Sequence, residues 1–117
     1  MKHLLAAILA AAMAGTALAQ QNYTSDARSV ATDEQIRVSR RAYRAECQRH
    51  QPLDYCDCMT GGMAQALEPR DLDVATRMLA HRLTGAPAPA GLSAASVRAA
   101  EAATEEFEQG GCLIHRR

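Results

Sequence analysis

Tryptophan is absent from this chain, phenylalanine occurs once, at Phe107, and lysine once, at Lys2. Aromatic rings bury more apolar area than other side chains, about 150–250 Å² each, so a chain this poor in them has a thin core. Beyond residue 19, the large apolar residues (Val, Ile, Leu, Met, Phe and Tyr) number 20 in 98. Small domains with so little to bury usually need covalent staples. A charge excess is missing as well. Past residue 19, 12 arginines oppose 13 acids, a formal charge of −1. Nothing in that balance draws the chain to nucleic acid or to an anionic membrane, and neither is expected as a partner.

Catalytic signatures are also missing. There is no glycine-rich phosphate loop, no H-E-x-x-H and no G-x-S-x-G, the patterns that place phosphate-binding amides, zinc ligands or a serine nucleophile. C-x-x-C-H is absent, which excludes covalent haem in its usual form. His81 and His115 have no evident partner in the sequence. We expect no enzyme and no cofactor. No stretch alternates with period two for long enough to read as a strand, so the predicted class is all-α.

The amino terminus is patterned for export. Met1-Lys2-His3 is basic, Leu4 to Ala14 is an unbroken apolar run of eleven residues, and Gly15 to Ala19 supplies small residues in the A-x-A pattern. This reads as a signal peptide over 1–19, too short for a spanning helix of roughly 20 apolar residues. No span is expected after cleavage. Residues 20–31 are polar and aperiodic, a flexible leader. Residues 32–117 are expected to form a single helical domain.

Thr32-Asp33-Glu34-Gln35 has the form of a capping box, opening a first helix from about Asp33 to His50 that Pro52 ends. Ile36, Tyr43 and Cys47 share its apolar face, interrupted by Ser39 and Arg40. Arg37, Arg40, Arg41 and Arg44 form a basic stripe at i, i+3, i+4, i+7. Asp54 is the expected N-cap of a second helix, about Tyr55 to Leu67, with Gly61-Gly62 in its middle, a pair that weakens a helix but permits close approach or a kink. Pro69 suits the first position of a third helix reaching about Leu83, with Leu72, Ala75, Met78, Leu79 and Leu83 in register and Gly85 as its stop. After a connector over 85–91, Ser93 caps a fourth helix that runs to about Gln109. Val97, Ala100 and Phe107 are its expected apolar side, and Glu101, Glu105 and Glu108 an acidic surface stripe. The arginine and glutamate stripes either face each other across the bundle, or one of them meets a partner. The arginine stripe is the candidate partner surface.

The four cysteines are Cys47, Cys56, Cys58 and Cys112. An even count in an exported chain implies two disulfides. Helix positions i and i+2 point about 200° apart, so Cys56 and Cys58 are poorly placed to bond each other and well placed to reach two different neighbours. Two connectivities remain open: 47–56 with 58–112, or 47–58 with 56–112. Two functional alternatives attach to the same residues. Cys56, Cys58, Met59 and Met63, with Cys47 and His50 nearby, offer soft ligands of the kind that suit copper(I). C-x-C at a helix start could support thiol-disulfide chemistry, although Asp54 and Asp57 beside the sulfurs disfavour a thiolate.

A cysteine late in one helix, "YCDC" opening the next and a last cysteine near the end resemble small exported bacterial proteins with a C-x(8)-C-x-C core, mostly without assigned activity. The likeness covers roughly Arg44 to Leu67 plus Cys112. It implies a periplasmic or secreted bacterial protein, helical and disulfide-bonded, and carries over no catalytic residue. The expected function is that of a non-catalytic binding or accessory protein whose protein partner is not readable from the sequence.

Overall fold

The computed structural model describes residues 31–116. The expected signal peptide lies outside them, as does the leader apart from Ala31. Four α-helices follow one another: α1 (Asp33–Gln48), α2 (Leu53–Ala66), α3 (Pro69–Thr84) and α4 (Ala94–Gln109). A 3-10 turn, Cys112–His115, closes the chain, and the described residues contain no strand. The all-α class is as expected. α1 packs on α3 and α2, and α4 packs on α3 and α2 from elsewhere. The 3-10 turn sits against α2 and α4, and the backbones of α1 and α4 are not neighbours.

Local chemistry sets most of the helix ends. The capping box at Thr32 is complete: the Gln35 amide donates to Thr32 Oγ1 at 3.2 Å, and the Thr32 amide donates to Gln35 Oε1 at 2.9 Å. Ser93 caps α4 by accepting from the Ser96 amide. Pro69 opens α3, and Gly85 ends it at φ 77°, a conformation that carries little penalty without a Cβ.

The second helix starts earlier than expected. Pro52, not Asp54, occupies the N-cap, and its carbonyl accepts from the Cys56 amide at 3.1 Å. Asp54 stands instead in the first turn, where its charge complements the helix dipole. α1 correspondingly ends at Gln48, ahead of a turn through Arg49 to Gln51 rather than at the proline.

The core is small and rich in sulfur. Tyr43, Cys47, Tyr55, Cys56, Met59 and Met63 are each no more than 1% exposed, and Leu72, Met78 and Leu79 of α3 complete the layer. Ile36, expected inside, is partly exposed. Ser39 takes the buried place on that part of α1 and donates to the Pro69 carbonyl at 3.5 Å. Val97 and Phe107 only flank the core; α4 buries Ala100, Ala103 and Thr104. Those small residues let α4 approach closely. The approach is closest at Gly62, where a Cβ would stand 2.6 Å from Cγ of Phe107. Only glycine fits there without displacing the ring.

Two disulfides staple the layers: Cys47–Cys56 joins α1 to α2, and Cys58–Cys112 joins α2 to the 3-10 turn. There is no free cysteine. Of the two connectivities left open by the sequence, this is the first. The divergence of Cys56 and Cys58 along the helix is what sends them to separate partners.

Candidate functional site

The arginine stripe of α1 is fully presented. Arg37, Arg40, Arg41 and Arg44 are all exposed, and because the α1 and α4 backbones are not neighbours, the stripe does not face the glutamates of α4. It faces α2. The four arginines and the α2 residues Asp57, Thr60 and Gly61 line a groove of about 470 Å³. Each helix contributes side chains at i, i+3 and i+4 spacing, which places them along one face. The Cys47–Cys56 bond, at the turn joining the two helices, fixes one end of this pairing.

Charge in the groove is unbalanced. Arg44 pairs with Asp57 at 2.8 Å across the helices, and Arg37 pairs with Glu34 of its own helix at 2.8 Å. Arg40 and Arg41, between them, have no acidic partner among the described residues. Ten of the twelve arginines and twelve of the thirteen acids fall in residues 31–116, a balance of −2. Four arginines and Asp57 give the groove +3, which leaves −5 for the rest of the described residues. Positive charge is therefore concentrated on one trough of an otherwise acidic domain.

The floor of the groove has two unusual residues. Thr60 is 4% exposed, and its hydroxyl has no hydrogen-bond partner in the described structure. Helical threonines ordinarily donate to the carbonyl four residues back, and three in this chain do so: Thr76 to Leu72, Thr84 to Ala80 and Thr104 to Ala100. Thr60 does not. Next to it, Gly61 would place a Cβ in open space, with nothing within 4 Å. Packing thus explains Gly62 and leaves Gly61 unexplained, although glycine inside a helix costs about 1 kcal/mol relative to alanine. What Gly61 does is keep a side chain off the floor of the groove.

A second polar cluster lies beneath the 3-10 turn and was not anticipated from sequence. Glu108, expected on the surface stripe of α4, is buried. Tyr55 donates its phenol to Glu108 Oε1 at 2.6 Å, Arg116 approaches both carboxylate oxygens at 3.5 Å, and Arg82 lies 3.9 Å away. Arg116 also donates to the Arg82 carbonyl at 3.2 Å. The Cys58–Cys112 staple draws the chain end over α4 and α2, and this is what covers the carboxylate. Burial, the hydrogen bond to Glu108 and the nearby carboxylate charge push the Tyr55 phenol well above the ordinary tyrosine range. Burial first, then Glu108, pushes Tyr43 up as well, against a smaller opposing effect of Arg82. With its charge met from three directions, Glu108 reads as a lock on the fold.

The remaining sequence candidates are accounted for geometrically. Cys56 and Cys58, the sulfurs of the copper and redox alternatives, are bonded to Cys47 and Cys112. Met59 and Met63 are fully buried core residues. The described residues hold no cluster of three or more His, Cys, Asp or Glu side chains suited to a metal. His50, near the soft ligands in sequence, is half-buried with Nε2 3.1 Å from Glu46 Oε1. That contact, with Arg49 alongside, holds the Glu46 carboxyl below the usual carboxylate range. A second hollow, between α1 and α3, mixes Glu34 and Asp73 with Arg70 and Arg77 and has no net sign.

Fold and site together define a disulfide-stapled four-helix domain carrying one basic groove. No family model matches the chain, and it has no match among the curated proteins or the solved structures. No helix among the described residues is long and apolar enough to cross a membrane.

Proposed function

We propose that this chain is an exported bacterial binding or accessory protein, without catalysis of its own, that makes contact through the arginine face of α1. Its place is the periplasm or the exterior. The signal-like first 19 residues, two disulfides with no free cysteine and the likeness to small exported C-x(8)-C-x-C proteins support that location. The observation that carries the contact surface is the separation of charge: +3 along one trough of a domain whose remainder is acidic. Glu34 and Asp57 already meet Arg37 and Arg44, but the neighbouring like charges of Arg40 and Arg41 raise the free energy of the isolated domain unless something of opposite sign meets them.

A photo-crosslinking amino acid placed at Arg41 in the exported protein tests this reading. A discrete adduct from Arg41, absent when the same probe replaces the exposed Arg98 on α4, is the expected result. Adducts of equal yield from both positions, or none from Arg41, would refute it.

A further inference from the structure

We propose that the ligand of the groove is an acidic segment of another protein, presenting a run of carboxylates along α1. This rests on the reading of α1 as the contact surface and adds its chemistry. Arg37 and Arg44 are seven residues apart, about 10.5 Å along the helix axis. A lone anion cannot serve a trough of that length. Repeating carboxylates can: alternate residues of an extended segment repeat every 6–7 Å or so, close to the spacing of successive arginines on one helix face.

The groove already shows how it holds carboxylates. Its outer arginines carry Glu34 and Asp57, each at 2.8 Å. The inner pair, Arg40 and Arg41, is left for carboxylates from outside, and the planar guanidinium fork suits them. Gly61, with open space where its side chain would be, lets a peptide backbone lie close to α2. An extended anionic surface is the poorer match. A membrane or a long nucleic acid would also meet the −5 carried by the rest of the domain, whereas a short segment meets the groove alone.

The test is a fluorescence-anisotropy titration of the oxidised protein with a labelled hexaglutamate peptide, with inorganic phosphate and phosphatidylglycerol vesicles as separate arms. We expect saturable peptide binding that weakens with salt, and at least tenfold loss in Arg40→Gln/Arg41→Gln and in Gly61→Leu. Arg98→Gln, outside the groove, should bind as the parent does. Gly61→Leu should melt no lower than the parent, which separates a blocked groove from a damaged fold. Failure of the peptide to bind, equal losses in Arg98→Gln, or binding of phosphate or vesicles in place of the peptide would each overturn the proposal. If the Arg41 adduct forms while the peptide does not bind, the contact surface stands and its acidic ligand does not; if neither is seen, both fall.

Discussion

Removing the two disulfides one at a time sets two physical effects against each other. Cys47–Cys56 spans a sequence separation of 9 and Cys58–Cys112 one of 54. If a crosslink stabilises by restricting the unfolded chain, the short loop is worth about 2.7 kcal/mol and the long one about 4.2 kcal/mol at room temperature. Packing predicts the reverse order. Cys47 and Cys56 are completely buried, whereas Cys58 is half-buried and Cys112 is 3% exposed, so truncation leaves the larger void at the first pair. For a domain of this size, 1 kcal/mol moves the midpoint by about 4–8 °C. Cys58→Ala/Cys112→Ala should therefore melt on the order of 20 °C below the parent, and Cys47→Ala/Cys56→Ala on the order of 12 °C below it. Thermal melts followed by far-ultraviolet circular dichroism, all proteins oxidised, measure both. A lower midpoint for the Cys47/Cys56 variant would refute the chain-entropy argument and give the decisive term to core packing.

The adjacent glycines should respond oppositely to the same change: Gly61→Ala is expected to raise stability by about 0.5–1 kcal/mol, and Gly62→Ala to lower it through the collision with Phe107, as urea midpoints will show. Tyr55→Phe removes a hydrogen bond to a buried carboxylate, a class of bond worth about 1.5–3 kcal/mol; a loss under 0.5 kcal/mol would mean that Arg116 and Arg82 satisfy Glu108 unaided. In alkali, the unfolded chain ionises its tyrosines from about pH 10, while burial keeps Tyr43 and Tyr55 protonated in the fold. The unfolded state then binds fewer protons, so stability that is complete below pH 10 should fall above it, by up to about 1.4 kcal/mol per pH unit for each tyrosine. Phenolate absorbance of these two residues should accordingly appear together with unfolding and not before it.

What the sequence made legible was local. Thr32 with Gln35, Ser93, Pro69 and Gly85 signal helix ends through contacts within four residues, and each does in the structure what its chemistry suggests. The cysteine argument reached two pairings because it used only the angle between i and i+2. Choosing between them required the rotation of α2, which is set by the burial of Tyr55, Met59 and Met63 against other helices. Glu108 shows the limit most clearly. Along α4 it is one acid among several, and it is buried only because a crosslink 54 residues long folds the chain end over it. The groove was half visible: the arginine stripe has helical spacing, but its opposite wall comes from α2. Nothing local distinguishes Gly61 from Gly62 until Phe107 is seen against one of them.

The two crosslinks lie one after the other along the chain, without nesting or overlap. A polypeptide made from its amino terminus can join α1 to α2 while Cys112 is still to come, but Cys58 must wait for that partner, 54 residues later. During that interval Cys47 meets two thiols one residue apart. Bonding to the wrong one strands Cys56 in the core side of α2, and recovery then requires disulfide exchange. A chain cut short after Cys58 and before Cys112 keeps an odd thiol however well its first three helices have folded. The arrival of Cys112 is thus recorded chemically at Cys58 in the second helix, where any thiol-reactive reagent or folding catalyst can read it.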